Sequence, residues 1–346
     1  MSFATDILPG LDDSVAPPLV LGTGELTGFA YQGDDHDALI ARIAEAPSPA
    51  ARLYDTAIAC QLAFRPSEGL DLQARALALS PIYRVRNQAV SPQPVRLLAL
   101  VAPGDLMVNA PLDFITNAID VRLDLLYLLP GQPLPAVIPD HDVAFFAIGE
   151  ADAATLARLQ RLFDAWPRPA LNNPRFLPLL ARDALARSLA GVPAILSPPT
   201  IAVTRAVLAA HLGGHQALGI PYPCLIRPLG SHAGTGLTRA EGPADLADYL
   251  HRMVSRHFYL TAYEEYADAD GLYRKSRIAF IDRQPFLCHM ASSTAWMVHY
   301  LNAGMSDSAD RRAAEAYAMA NFETGFVRRH AAAFAALHDR LGFDYY

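Results

Sequence analysis

The spacing of hydrophobic positions divides the chain into three segments. Residues 1–35 are rich in Gly, Pro and Asp and show no helical spacing, which predicts irregular structure. Between residues 37 and 79 the apolar positions recur at helical intervals, and prolines separate them into three helices. Helical hairpins of this kind resemble the helix-pair repeats that serve protein contacts. Residues 37–79 are therefore a candidate surface for a protein partner, within an irregular and helical region predicted over 1–91.

Between residues 92 and 173, apolar runs typical of buried strands alternate with helical spacing. The predicted strands are 95–101, 121–129, 142–148 and 169–172, and the predicted helices are 111–119 and 152–165. Such alternation is typical of a parallel sheet covered on both faces, which makes this segment a small Rossmann-like domain. The loop after its first strand reads PGD and lacks GxGxxG, so no dinucleotide site is predicted there.

The third segment, 174–346, begins with clear helix signals. Asn173 can cap the helix, Pro174 suits its first turn, and Gly191 can end it. The apolar stripe of this helix leaves Arg182 free to face away from the core.

Residues 221–250 carry the most informative pattern. A short strand, CLIR, leads into GSHAGTG (230–236), a loop with three glycines; LTRA is extended again, and a helix begins at Gly242-Pro243. Walker A and Rossmann loops run directly into a helix, so this loop is neither. Its backbone N–H groups can approach a polyphosphate, Ser231 and Thr235 add hydroxyl groups, and Arg227 adds a cation. An ordinary hairpin turn is the alternative interpretation.

Three strands are predicted after this loop and its helix, at 258–266, 273–281 and 285–291. Together they predict an antiparallel sheet whose polar side chains include Glu264, Glu265, Lys275, Arg277 and His289. Strand alternation puts Lys275 and Arg277 on one face, where two cations repel unless they face solvent or share an anion. Lys275 is also the one lysine among the 28 basic residues.

The segment that follows the last predicted strand reads as a loop with many hydrogen-bonding side chains, and helices are predicted at about 310–320 and 322–341. Loops of this composition often face active clefts. Its candidate substrate contacts are Trp296, His299, Tyr300 and Asn302.

Composition and charge exclude several classes of protein. The chain has 28 basic and 35 acidic residues among 346 and a formal charge of −7, which argues against a general nucleic-acid binder. Its apolar runs are too short to cross a membrane, and its amino terminus has no export signal. Three cysteines without a CxxC predict neither a disulfide framework nor a thiolate zinc site. The expected location is the cytoplasm.

The order of these features resembles the ATP-grasp superfamily, whose members include the carboxylate–amine ligases. The resemblance spans roughly residues 95–346 and rests on the Rossmann-like unit, the capped helix with Arg182, the strand with Arg227, the glycine-rich loop, and Glu264-Glu265-Tyr266. It implies an α/β (α+β) fold with three parts. These parts are the helical region 1–91, the Rossmann-like domain 92–173 and an ATP-grasp-like antiparallel sheet with helices over 174–346.

The resemblance also implies a role for individual residues. The residues implied to hold the ATP phosphates are Arg182, Arg227, Gly230, Ser231, Gly234, Thr235 and Gly236. Glu264, Glu265 and Tyr266 correspond to the segment that lines the adenine and ribose pocket. Arg277, with Lys275, corresponds to the basic group facing the transferred phosphoryl or acyl phosphate. ATP and Mg²⁺ are the implied cofactors, and the implied substrate is a small-molecule or peptide carboxylate.

The sequence departs from the family pattern at the metal site. ATP-grasp ligases hold Mg²⁺ with acidic residues late in the chain, which commonly include a Glu-x-Asn motif. No Glu-x-Asn motif occurs after the glycine-rich loop of this sequence. The metal ligands therefore cannot be named, and the expectation is that the last domain is incomplete at its carboxyl end. Two hypotheses remain open. The chain is an ATP-dependent carboxylate–amine ligase if its metal site is completed, or a degenerate relative that binds nucleotide or acts as a scaffold through residues 37–79. The oligomeric state is not predicted.

Overall fold

The computed structural model describes residues 7–32, 36–87, 91–210, 212, 218–232, 234–300 and 303–346. The chain divides into two compact units, Met1–Leu177 and Pro178–Tyr346. Helices and several sheets are present in the described chain, which confirms the mixed α/β class expected from the sequence. The further division at residues 91 and 173 stays a prediction. Over the described ranges, no helix combines the length and apolar character that crossing a membrane requires.

The first unit is organised around a largely parallel sheet. Its strands are β1 Gly10–Leu11, β2 Leu19–Val20, β3 Ile82–Val85, β4 Val95–Val101, β5 Val121–Tyr127, β6 Val137–Ile138, β7 Val143–Phe146 and β8 Ala170–Leu171. The main sheet has the order β2-β3-β5-β4-β7-β8, in which β4 lies parallel to β5 and β7. Leu98, Leu100 and Phe146 lie buried in its core. The four strands predicted between residues 92 and 173 correspond to β4, β5, β7 and β8.

The helices of the first unit are α1 Gly22–Gln32, α2 His36–Ala44, α3 Pro49–Leu62, α4 Pro66–Leu79, α5 Leu112–Thr116 and α6 Ala153–Ala165. The three helices predicted between residues 37 and 79 correspond to α2, α3 and α4. Both helices predicted between residues 92 and 173 are also present, although α5 is shorter than expected. Asp152 caps α6 by accepting a hydrogen bond from the Thr155 amide at 2.7 Å.

The expectation that residues 1–35 are irregular is wrong, because α1 lies within them. Carboxylates distant in sequence satisfy the first amides of this helix. Asp55, which is fully buried, accepts hydrogen bonds from the Leu21 and Gly22 amides, and Asp113 accepts one from the Gly24 amide at 2.9 Å. Because these caps come from other elements, a helix with three glycines in its first two turns shows no local signal.

The loop that follows β4 is bonded to its own surroundings. The Gln73 side chain donates to the Gly104 carbonyl at 3.0 Å and accepts from the Gly104 amide at 2.9 Å. Asn109 exchanges two hydrogen bonds of 2.8 Å with the Ala102 backbone and forms a β-bridge to Ile148 beyond β7. The loop thus bridges the carboxyl ends of β4 and β7, which in open α/β sheets border the usual ligand crevice.

The second unit contains an antiparallel sheet and a separate β-hairpin. Its strands are β9 Thr200–Thr204, β10 Cys224–Pro228, β11 Thr238–Ala240, β12 His257–Ala262, β13 Tyr273–Ile281 and β14 Gln284–Ser293. The sheet order is β11-β10-β12-β9, and β13 pairs with β14. The helices are α7 Arg182–Leu189, α8 Arg205–Ala210, α9 Pro243–Arg252, α10 Ala309–Ala320 and α11 Arg328–Leu341. Ile226, Leu246 and Phe258 are buried in the core between α9 and the sheet.

Two expectations for this unit are wrong. The helix predicted from residue 174 is instead a 3₁₀ helix, Pro174–Leu180, followed by α7, so Arg182 begins a helix rather than lying inside one. Pro178 lacks the amide hydrogen that a continuous α-helix needs at that position. The strand predicted at 258–266 ends at Ala262 and pairs with β10 and β9 instead of β13. The sequence analysis assigned no strand to β9, which takes that place beside β12.

Candidate nucleotide-binding site

A cavity of about 420 Å³ lies in the second unit, between the ends of β10 and β12, strand β13 and the segment after β14. This volume is within the range of roughly 300–1,000 Å³ that is typical of small-molecule sites. One part of its lining is apolar and aromatic, and another part is cationic. The apolar part includes Leu196, Pro198, Leu225, Leu237 and Val298.

Three aromatic side chains, named here the aromatic wall, stand beside these apolar residues: Tyr263, Tyr266 and Trp296. The Tyr263 and Trp296 rings meet nearly at right angles, at 84°, with centroids 6.0 Å apart. The Tyr266 hydroxyl donates to the Trp296 carbonyl. The Arg239 guanidinium stacks over the Tyr263 ring at 3.9 Å. These contacts hold the rings in place, so the wall presents a fixed flat surface suited to a planar ligand group.

The cationic part contains Arg227 from β10 and Lys275 from β13, and His299 from the segment after β14 also lines the cavity. Partial desolvation, together with the neighbouring charges of Arg277 and Arg182, lowers the pKa of Lys275. Desolvation and the charges of Lys275 and Arg227 lower the pKa of His299. Lys275 and His299 therefore lie in a region of positive potential, which an anion would stabilise.

Four of these side chains are named here the cationic cluster: Arg182, Arg227, Lys275 and Arg277. Within the described part of the chain, no carboxylate lies at ion-pair distance from the Lys275 ammonium group. Arg277 lies two residues after Lys275 on β13 and pairs across the hairpin with His289 on β14. Because side chains alternate along a strand, Arg277 and Lys275 lie on the same face. The cluster therefore carries positive charge that the described residues near Lys275 do not neutralise.

The described residues of the glycine-rich loop, 230–232 and 234–236, fold against this cationic region. Arg227 donates through Nε to the Ser231 hydroxyl at 3.0 Å and through Nη2 to the Ser231 carbonyl, and Arg182 Nη2 lies 3.5 Å from that carbonyl. Gly234 has a φ of +77°, and a Cβ there would lie 2.6 Å from His299 Nε2. Only glycine allows this approach without displacing the histidine ring. The loop therefore borders the cavity rather than extending into solvent.

The structure brings most of the sequence-predicted site residues to this cavity. Those that line it directly are Arg227, Gly234, Glu264, Tyr266 and Lys275. Those that lie beside the lining are Gly230, Ser231, Thr235 and Gly236 in the loop, and Arg182 and Arg277 next to Lys275. Of the four candidate substrate contacts after β14, Trp296 and His299 line the cavity, and Asn302 lies outside the described residues.

Two side chains are placed differently. The Glu265 carboxylate accepts hydrogen bonds from the Tyr263 and Tyr273 hydroxyls, each at 3.2 Å, and from the Ala267 amide at 3.0 Å. Its position supports the aromatic wall from behind instead of lining the cavity. The Tyr300 hydroxyl donates to Glu315 at 2.8 Å, which directs it to α10. The binding and catalytic roles of the predicted site residues stay predictions.

Several lining residues were not anticipated. Tyr263 directly follows β12, and an aromatic residue at a strand end, beside Glu264, is a signal that could have identified it. Leu196 and Pro198 precede β9, and only the Pro198-Pro199 pair marks that turn in the sequence. Their place in the site follows from the pairing of β9 with β12, which no local pattern specifies.

The Mg²⁺ ion that the family resemblance implies finds no matching donor set in the described chain. Mg²⁺ takes oxygen ligands, and at phosphate sites it is usually held by one or two carboxylates together with substrate phosphates and water. Among the residues that the structure describes, no group of three or more His, Cys, Asp or Glu side chains could hold a metal ion. Among the described residues that line the cavity, Glu264 is the one acidic side chain, and Arg227 and Lys275 also line it. This lining fits a protein-held Mg²⁺ poorly, because it offers a single carboxylate and two cations.

Comparison with family models and with curated proteins gives no match. Solved structures do show similarity. VanG D-Ala:D-Ser ligase from Enterococcus faecalis is 12% identical, with 72% of this chain and 83% of that chain covered and a TM-score of 0.42. A RimK domain ATP-grasp protein from Sphaerobacter thermophilus is 22% identical, with 63% and 81% covered and a TM-score of 0.34.

D-alanine–D-alanine ligase from Bacillus anthracis, complexed with ATP, is 12% identical, with 71% and 77% covered and a TM-score of 0.36. TM-scores below 0.5 give these superpositions no weight in the functional proposals, which depend on the residues of this chain. By their names, two of these three solved structures are ligases and the third is an ATP-grasp domain protein.

Proposed function

We propose that the second unit binds ATP in this cavity and uses it to join a carboxylate to an amine. One observation supports this above all: the aromatic wall, the cationic cluster and the glycine-rich loop meet around a single cavity. A nucleotide has the matching arrangement, with a planar base at one end and a polyanion at the other. The base packs against the aromatic wall, and the triphosphate lies along the cationic cluster beneath the loop.

In the proposed reaction, a substrate carboxylate oxygen attacks the γ-phosphorus of ATP. The bond from that phosphorus to the β-phosphate oxygen breaks, and ADP leaves with the bonding electrons. An amine then attacks the acyl carbon, the bond to the phosphate oxygen breaks, and the amine nitrogen loses a proton. Arg182 and Arg227 hold the phosphates, while Lys275 and Arg277 stabilise negative charge on the transferred phosphoryl group. The substrate is a small-molecule or peptide carboxylate.

Positional isotope exchange tests the first step without knowledge of the amine. ATP carrying ¹⁸O in the β–γ bridge would scramble the label when a panel of carboxylic acids is added, with MgCl₂ also present. Scrambling that depends on one acid, together with ADP release when an amine is supplied, is the expected result. No scrambling and no ADP with any acid and amine would contradict ligase activity.

An Arg227→Ala variant separates the site from contaminating activities. Removing the guanidinium is expected to weaken ATP binding by about 10-fold to 100-fold, because one charged hydrogen bond contributes roughly 1.5–3 kcal/mol. Thermal stabilisation by ATP would fall accordingly. A variant that binds ATP as tightly as the wild-type chain would show that the nucleotide binds elsewhere.

A second candidate is nucleotide binding without turnover. It is favoured by the metal observation, since the described residues contain no three-ligand group for Mg²⁺. The partner surface in this case is the helical segment α2–α4, over residues 37–79. Stabilisation by ATP without any ADP formation would favour this function, and ADP formation above background would exclude it.

A further inference from the structure

The charge balance of the cavity differs from that of a site that holds a divalent cation. Its charged lining comprises Arg227, Lys275 and Glu264, with His299 as a further titratable group. Glu264 follows Tyr263 at the end of β12, beside the aromatic wall. The positive groups, by contrast, gather around Lys275 and the glycine-rich loop. A phosphate chain at the cationic end would therefore be surrounded by nitrogen donors and not by carboxylates.

Coulomb energies show what this arrangement favours. A divalent cation held roughly 5 Å from a single side-chain cation is repelled by several kcal/mol at an effective dielectric constant of about 20. An unchelated triphosphate near neutral pH carries about four negative charges, and chelation by Mg²⁺ removes two of them. The four side chains of the cationic cluster can compensate the charge of the unchelated form.

The surroundings of Lys275 also favour a ligand with a high negative charge. The Lys275 ammonium group has no ion pair within the described part of the chain, and the charged groups that lower its pKa, Arg277 on β13 and Arg182 on α7, are both cations. A bound polyanion would remove the repulsion among Arg182, Lys275 and Arg277. The Mg²⁺ complex of the same ligand would remove less of it, because its charge is about half as large.

We propose that the cationic cluster binds the metal-free triphosphate of a nucleotide in preference to its Mg²⁺ complex, so that side chains supply the charge compensation that a protein-held metal would supply. This inference rests on the proposed function only in assuming that a nucleotide enters the cavity. It concerns the binding step and applies equally to a ligase and to a nucleotide-binding protein without turnover.

Isothermal titration of the full chain with ATP tests the proposal. One buffer contains EDTA, the other contains excess MgCl₂, and the ionic strength is the same in both. ATP is expected to bind about threefold or more tightly in EDTA, and equal affinity in the two buffers would contradict the proposed preference. Weaker binding in EDTA than in MgCl₂ would overturn it while leaving nucleotide binding intact. No binding in either buffer would overturn the proposed function as well.

Variants identify the side chains responsible. Lys275→Met is expected to weaken binding in EDTA by about 10-fold and binding in MgCl₂ by less, because the ligand with more charge loses more. Arg329→Gln is the control, because it also removes one positive charge but lies on the exposed surface of α11. It should change the ATP affinity neither in EDTA nor in MgCl₂. Equal losses in both buffers for Lys275→Met would contradict the proposal.

Glu264→Gln addresses the one carboxylate in the lining. If Glu264 held a Mg²⁺ ion, its removal would selectively weaken binding in MgCl₂. The proposal predicts instead that the ratio of the two affinities stays within about twofold of the wild-type ratio. A selective loss in MgCl₂ would assign a metal to Glu264 and overturn the proposal. Inorganic tripolyphosphate in EDTA should compete with ATP, since the cationic cluster binds the phosphate chain.

Discussion

In the first unit, the loop after β4 uses Gln73 and Asn109 to satisfy its own backbone, and it bridges the strand ends where ligands bind in many open α/β sheets. In the second unit, charged and aromatic side chains surround a cavity of about 420 Å³. There Lys275 has no ion-pair partner within the described residues. The polar side chains of the first-unit loop are used to stabilise the fold, whereas those at the cavity are available to bind a ligand. Substitutions of the buried polar groups in the first unit should change stability and leave ATP affinity unchanged, and substitutions at the cavity should change ATP affinity.

The largest expected effect is on the pH dependence of stability, through Asp55. Burial raises the pKa of this carboxyl from 3.8 to about 7. A raised acid pKa stabilises the folded state at low pH, and this contribution is lost as the pH rises from about 4 to 7. The free energy of unfolding should therefore fall across this range, by up to roughly 4 kcal/mol from this group. Urea denaturation should show that Asp55→Asn removes this part of the pH dependence.

Asp71→Asn, an exposed substitution on α4, is the control for this prediction and should leave the pH dependence unchanged. Equal pH slopes for the wild-type chain and Asp55→Asn would show that Asp55 does not titrate in this range. ATP affinity at constant pH should be the same in both proteins. A large loss of affinity in Asp55→Asn would break the comparison between the units.

The next effect concerns the loop after β4. Gln73→Leu removes both hydrogen bonds to Gly104, and leaving a partly buried amide and carbonyl unpaired is expected to cost about 2 kcal/mol. Urea denaturation measures this loss, with exposed Gln93→Leu as the control. ATP binding should be unchanged. If Gln73→Leu destabilises the chain by less than Gln93→Leu does, the loop is not held as described.

A smaller effect is expected at the aromatic wall. Trp296→Ala should weaken ATP binding by about 10-fold, because stacking of a base on an aromatic ring contributes roughly 1–3 kcal/mol. Tripolyphosphate, which has no base, should bind the variant and the wild-type chain equally. Competition titrations with both ligands check this. Equal losses for both would show that Trp296 shapes the whole site rather than holding the base.

The smallest effect distinguishes two glycines of the loop. Gly234 and Gly230 both have positive φ values, +77° and +70°, but only a Cβ at Gly234 would meet a neighbour, His299 Nε2 at 2.6 Å. Gly234→Ala should therefore weaken ATP binding about threefold more than Gly230→Ala, which carries similar backbone strain without the contact. Titration of both variants gives the ratio. Equal affinities would indicate that the loop does not close on His299 when ATP binds.

How far the sequence predicts this molecule depends on whether a signal is local. The strands β4, β5, β10 and β13 and the helices α2–α4 follow from periodicity, and the glycine-rich loop was identified from its composition. α1 was missed because its caps, Asp55 and Asp113, lie in other elements. The break before Arg182 is marked by Pro178, but the apolar stripe continues across it and predicts one unbroken helix.

The same distinction applies to the cavity. Arg227, Lys275 and Tyr266 were predicted to belong to one site, and the structure brings all three to its lining. Glu265 could not be separated from Glu264 by sequence, because its orientation depends on the hydroxyls of Tyr263 and Tyr273. Leu196 joins the lining through the pairing of β9 with β12, a long-range contact that periodicity does not encode.

Photo-crosslinking with azido-ATP, followed by tryptic peptide mapping, tests the location of the nucleotide most directly. Labelling is predicted in the peptides 257–274 and 284–311, which contain Tyr263 and Trp296, and excess ATP or tripolyphosphate should abolish it. Label in peptides of the first unit, or label in the second unit that excess ATP does not displace, would contradict the account.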